Sequence, residues 1–126
     1  MFELTIKGTV YQFAFNMGFL RRVNKTMGMP VDGVPNAKKN VGLQYLIAGV
    51  MDGELESLVE ILEAANVGQE PRATRDIIDA YIDECEDIDG LFDKVLDFLE
   101  QSNATKSAVT KLKEALEAEK AKRAAQ

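Results

Sequence analysis

Residues 1–25 read MFELTIKGTVYQFAFNMGFLRRVNK, and the hydrophobic period changes partway along them. Phe2, Leu4 and Ile6 alternate with Glu3, Thr5 and Lys7, the spacing of a half-buried strand; Phe19, Leu20 and Val23 recur at helical spacing. Lys7-Gly8 supplies a turn, and residues 10–15 return with Tyr11, Phe13 and Phe15 on a common face, so the segment predicts a β-hairpin. Asn16 stands where an N-cap is wanted, ahead of a helix to about Met27 with Arg21, Arg22 and Lys25 on its outer side. A lone hairpin is marginal in water, so this helix is expected to cover it.

Beyond the hairpin the pattern is helical. GMPVDGVP, residues 28–35, holds two glycines and two prolines and predicts a loop. Residues 40–51 are apolar on every side, which places that helix at the centre of the core. After Asp52-Gly53, Leu55, Leu58, Val59 and Leu62 define an amphipathic helix to about Ala65, and NVGQEP forms a second loop. Thr74 caps a helix with Ile77, Ile78, Tyr81, Ile82 and Cys85 on one side and Asp76, Asp79, Asp83 and Glu84 on the other. Residues 87–90 interrupt, and Leu91, Phe92, Val95, Leu96 and Leu99 then form a stripe opposite Asp93, Asp97 and Glu100. In the last stretch only Val109, Leu112 and Leu116 make a stripe. The expected fold is mainly α (α+β): an N-terminal β-hairpin, a compact bundle of about five helices over residues 1–103, and a loosely docked C-terminal helix in a mobile extension, 104–126.

The totals agree with one folded domain. At 126 residues the chain can bury a sizeable core, and 46% apolar with 29% charged residues is the balance of a globular protein. The single cysteine, Cys85, cannot close an internal disulfide and is read as a buried structural residue of a reducing compartment. Residues 2–19 lack the pattern of a signal peptide, and LQYLIAGVM is too short to span a membrane, so a soluble cytoplasmic protein is expected. The net charge of −6 conceals an asymmetry: residues 1–50 carry six Lys/Arg against two Asp/Glu, whereas 76–100 carry ten Asp/Glu against one Lys. The acidic face is the strongest functional hint, a docking surface for a basic or helical protein, weighed against a merely solvated face.

Little here resembles chemistry. Histidine is absent, which removes the commonest general base and transition-metal ligand. DECEDIDG, residues 83–90, imitates the end of a calcium loop, but Cys85 and Leu96 stand at two positions that need oxygen ligands. Gly28 and Gly33 have phosphate-loop spacing, yet Val34-Pro35 replace the Lys and Ser/Thr that hold phosphate and Mg²⁺. No catalytic, cofactor or metal residues are therefore expected. Arg21, Arg22, Lys25, Lys38 and Lys39 permit an alternative reading as a small nucleic-acid-binding regulator, which the acidic balance of the chain opposes.

Three stretches taken together, LTIKGTVYQFAFNMGFLRRVNK, VGLQYLIAGVMDGELESLVEILEAAN and PRATRDIIDAYIDECEDIDGLFDKVLDFLEQSN, carry a resemblance. Its markers are the hairpin followed by Gly18-Phe19-Leu20-Arg21, the Gly42-Leu43-Gln44-Tyr45 helix start, and the acidic helix ending in Phe98-Leu99-Glu100. Over residues 3–103 the chain resembles the tail assembly chaperone family of long-tailed bacteriophages of Gram-positive hosts. The resemblance implies a non-enzymatic protein of the host cytoplasm, absent from the mature virion. It would bind the tape measure protein, keep it soluble and help the tail tube polymerise around it. It also implies tail-tube protein as a partner through a longer, frameshifted form; the acidic balance and the short apolar stretches give the expectation of neither nucleic acid nor membrane as a partner. A chaperone needs accessible apolar surface ringed by charge, so Phe13, Phe15, Met17 and Met27, with Asp79, Asp83, Asp93 and Asp97 of the acidic face, are the candidate partner-binding residues.

Overall fold

A computed structural model of the chain describes residues 2–25, 28–30, 38–40 and 42–124, the segments 28–30 and 38–40 by their backbone alone. Phe2–Ile6 (β1) and Thr9–Phe13 (β2) pair antiparallel from Phe2↔Phe13 to Ile6↔Thr9. Lys7 and Gly8 both take positive φ, 49° and 81°, which is the turn that matches the right-handed twist of a two-residue hairpin. Phe2, Leu4 and Ile6 are buried and Glu3 and Thr5 exposed, as the alternation predicts. The second strand ends at Phe13 rather than Phe15, because the Ala14 N–H leaves the ladder and donates to the Ala65 carbonyl at 2.8 Å.

Met17–Lys25 (α1) starts on the expected cap, with Asn16 Oδ1 accepting from the Phe19 N–H at 3.0 Å. Contrary to expectation, α1 packs chiefly on Gly42–Met51 (α2) and Leu55–Asn66 (α3); the hairpin is met by α3 through β2 and by Ile88–Gln101 (α5) through Phe2. Between α1 and α2 lies an element that the turn residues conceal. Gly28–Pro30 (β3) pairs antiparallel with Lys38–Asn40 (β4), so the first three residues of the expected loop are strand. Proline is tolerated because every strand of a two-stranded ribbon is an edge.

Helix α2 is not buried all round. Leu43, Leu46, Ile47 and Val50 enter the core, but Gln44 is exposed and Tyr45 keeps 58% of its surface in water. An amphipathic ring explains the error, since tyrosine counts as apolar in a periodicity yet tolerates solvent at its hydroxyl end. The N-terminus of α2 is capped from another helix: Asn24 Oδ1 of α1 accepts from the Leu43 N–H at 3.0 Å. A Cβ on Gly42 would stand 2.0 Å from the Val23 carbonyl oxygen, so the close approach of α1 and α2 requires glycine there.

Arg75–Glu84 (α4) begins on Thr74, whose hydroxyl accepts from the Ile77 N–H at 3.4 Å. The break expected at 87–90 is the start of α5, with Asp87 Oδ1 accepting from the Gly90 N–H at 3.0 Å. Gly90 leaves room for that carboxylate, which would lie 2.2 Å from a Cβ. Lys106–Ala124 (α6) is attached by its first turns: Thr105 and Val109 are fully buried and Leu112 half-buried, whereas Leu116 is 49% exposed.

The core is continuous. Phe2 meets Phe13, Phe15 and Phe98 at ring-centroid distances of 5.8, 6.1 and 4.9 Å, and Phe15 meets Phe19 at 5.2 Å. Behind this aromatic group Asn66, at the end of α3, is fully buried. Its Nδ2 donates to the carbonyls of Gln12 (2.9 Å) and Pro71 (3.3 Å), and its Oδ1 accepts from Arg72 Nη1 (2.6 Å) and the Ala73 N–H.

Replacing Asn66 with Ala removes the side-chain partner of three main-chain groups at once, one on β2 and two in the turn between α3 and α4. The expected loss is about 3 kcal/mol, read as the change in urea midpoint at constant m-value. Cutting the chain after Glu114 is expected to leave Tm within about 2 °C, because the removed turns are exposed. Cutting after Asn103 removes Thr105 and Val109 from the core and is expected to lower Tm by about 10 °C, both read by thermal denaturation.

Candidate functional site

The charges of this molecule divide into answered and unanswered sets. Arg75, at the start of α4, is held by three carboxylates of α3: it hydrogen-bonds Glu60, and its Nε lies 3.1 Å from Glu63 and its Nη1 3.8 Å from Glu56. The hydrogen bond to Glu60, with the surrounding negative charge, raises the pKa of this guanidinium further above its ordinary range. Lys113 of α6 pairs with Glu100 of α5 at 2.9 Å.

No such partner meets Asp76, Asp79 and Asp83 along α4, or Asp89, Asp93 and Asp97 along α5, among the described residues. All six are exposed. Asp79 and Asp83, Asp89 and Asp93, and Asp93 and Asp97 stand four residues apart, so each pair projects like charges from one helix face. Each such pair costs about 0.3 kcal/mol of helix stability, a cost the fold does not offset locally.

Part of this acidic surface borders a groove. Leu4 of β1 forms one wall, and Tyr81, Cys85, Asp87, Gly90, Leu91, Asp93, Lys94 and Asp97, from α4, α5 and their junction, form the rest, around a volume of about 530 Å³. Its buried and half-buried lining residues, Leu4, Tyr81, Cys85 and Leu91, are largely apolar, and its exposed ones are three carboxylates, Asp87, Asp93 and Asp97, with one lysine, Lys94. Cys85 is half-buried here rather than sequestered in the core. Burial, followed by the adjoining Cys85, pushes the Tyr81 phenol above its ordinary range.

The candidate residues fall into three places. Asp93 and Asp97 line the groove, while Asp79 and Asp83 extend the acidic surface along α4 outside its lining. Phe13 and Phe15 are core residues, with relative exposures of 0% and 7%, and lie beneath a depression that they border with Phe98, Gln101 and Ser102. Met17 is 48% exposed on the first turn of α1, and Met27 lies outside the described residues. Leu4, Tyr81, Cys85 and Leu91 were missed as lining residues, because the contact of a hairpin with α4 and α5 leaves no mark in local periodicity.

The basic set is depleted on folding. Arg22, expected on the outer side of α1, is half-buried and donates from Nε to the Ala64 carbonyl at 3.0 Å, satisfying a carbonyl near the end of α3. Burial and the nearby Arg72 charge lower its pKa from the usual arginine value. Arg21 and Lys25 remain exposed, and Lys38 and Lys39 belong to β4.

Among the described residues no group of three or more Cys, Asp or Glu side chains is arranged to hold a metal ion, and no helix is long and apolar enough to cross a membrane. No curated protein and no solved structure matches the chain. A family model described as phage tail assembly chaperone protein matches residues 3–114, from the first strand to the point where α6 leaves the core. The hairpin, the five helices behind it and the docked turns of α6 thus lie within one family pattern, and the chain belongs to the phage tail assembly chaperone family.

Proposed function

We propose that the protein binds the tape measure protein of a long-tailed phage, keeps it soluble and promotes polymerisation of the tail tube around it. It acts in the host cytoplasm, without catalytic turnover, and leaves before the virion is complete. The observation that carries this reading is the family match over residues 3–114. The unanswered carboxylates of α4 and α5 support it, since a surface that costs stability in the free protein can recover that cost against a basic partner. A longer product made by frameshifting would carry the link to tail-tube protein.

Asp79, Asp83, Asp93 and Asp97 are the residues assigned to electrostatic capture of the client, and Met17 is the accessible apolar neighbour at the start of α1. Phe13, Phe15 and Met27 complete the candidate set; for the two phenylalanines contact is restricted to the depression they share with Phe98.

Co-expression is expected to move the tape measure protein into the soluble fraction and to allow its recovery with the tagged chaperone. Reversing Asp79, Asp83, Asp93 and Asp97 together to Lys is expected to slow association about tenfold or more and to weaken its salt dependence. The circular dichroism spectrum should stay that of the wild type, because these side chains are exposed and have no ion-pair partner among the described residues. Failure of the wild-type protein to retain any tape measure fragment would sink the reading.

A further inference from the structure

The two edges of the hairpin are not equivalent. A two-residue turn makes Ile6 and Thr9 a hydrogen-bonded pair, and the alternation of an antiparallel ladder then directs the main-chain groups of Phe2, Leu4 and Ile6 toward β2. Those of Glu3 and Thr5 point away from β2. On the opposite edge α3 occupies part of the outward main chain: the Gln12 carbonyl accepts from Asn66 Nδ2 at 2.9 Å, and just past the strand the Ala14 N–H donates to the Ala65 carbonyl at 2.8 Å, which leaves Val10, near the turn, as the open part of that edge. On the β1 edge the outward N–H and C=O groups of Glu3 and Thr5 have no partner among the described residues.

The acidic groove lies on that same side. Leu4 belongs to its lining and no residue of β2 does. A strand added to β1 would continue the sheet beside the groove and place every second side chain toward Tyr81, Leu91, Asp93 and Asp97. The lining asks for a particular side chain: a long aliphatic stem to cover Leu4, Tyr81 and Leu91, ending in a positive charge near the carboxylates.

We propose that the open edge of β1 captures an extended segment of the client protein as a third strand, with Lys or Arg at alternate positions reaching Asp93 and Asp97. This rests on the chaperone reading and adds to it the conformation and the pattern of the segment bound. A second copy of the same chain fits poorly as occupant. Its own β1, FELTI, carries Glu3 and no basic residue, so pairing two copies would bring acid toward an acidic groove in molecules of net charge −6.

The test uses the full chain and a fluorescent peptide, acetyl-KVKVKVK-amide, followed by anisotropy. Two further peptides carry N-methyl groups on all Val or on all Lys, each blocking one strand edge. The wild type is expected to bind the parent peptide, and one N-methylated form but not the other. Thr5→Pro removes an outward N–H without touching the β1–β2 ladder, and is expected to weaken binding about tenfold or more. Asp93→Asn with Asp97→Asn is expected to weaken binding and flatten its salt dependence. Equal binding of both N-methylated peptides overturns the proposal in favour of capture by charge alone, and it does so even if Thr5→Pro fails to fold. Absence of binding by the wild type overturns it, as does a wild-type dimer that Thr5→Pro abolishes, which would make the edge a self-association site. Co-expression separates the two readings. If wild type and folded Thr5→Pro both keep the tape measure protein soluble, the strand site falls and the chaperone function stands. If the wild type binds the peptide but retains no tape measure fragment, the function falls and the strand site stands.

Discussion

The carboxamide of Asn66 has no exposed surface, yet both of its N–H donors and both oxygen lone pairs are used, and the four bonds reach two separate segments. One ties β2 to the end of α3, and the other three fix the turn that leads from α3 into α4. In a dry interior each bond contributes about 1 kcal/mol net, but a group left unpaired there costs more than a bond gains. The amide therefore acts as a constraint more than as an attraction. It favours the arrangement of hairpin, α3 and α4 in which this buried amide keeps all four bonds. That arrangement sets β1 beside the α4–α5 junction, with Leu4 across the groove from Leu91 and Asp93.

Local signals carried most of the fold. The alternation of Phe2, Leu4 and Ile6, the Lys7-Gly8 turn and the caps Asn16 and Thr74 depend on neighbours within a few residues, and each could be read from the chain. What could not be read is nonlocal. Asn24 caps a helix through an N–H 19 residues away, Arg22 reaches a carbonyl 42 residues away, and Gly42 is required by contact with Val23 rather than by its own backbone angle. The β3–β4 ribbon was hidden for another reason, since Gly and Pro mark a turn and an edge strand alike. At the candidate site the acidic residues were legible as a charge run. The apolar lining was not, because Tyr81, Cys85 and Leu91 belong to stripes that periodicity assigns wholly to the core.

Two uses of charge stand side by side here. Arg75 binds α4 to α3 through exposed pairs, and exposed pairs contribute little each, about 0.5 kcal/mol, so their value lies in fixing register more than in stability. The carboxylates of α4 and α5 do the reverse, repelling one another at a spacing of four residues. The screening length at physiological salt is about 8 Å, so this repulsion is local, whereas a partner that lands on the surface meets several carboxylates within that range. Such a surface favours encounter with positive segments and deters a second acidic copy of the same chain.

Charge alone does not hold a client, because surface ion pairs are weak and salt competes with them. A chaperone that must later release its client is served by contacts that are individually modest and directional. The edge of β1 supplies main-chain hydrogen bonds, which are indifferent to side-chain identity; the groove beside it supplies apolar area and a preference for positive charge. In the proposed capture the first would allow many segments to be held, and the second would restrict which of them stay. Among the described residues the outward N–H and C=O groups of Glu3 and Thr5 have no protein partner, and the carboxylates beside that edge oppose its pairing with a second copy of the same acidic chain.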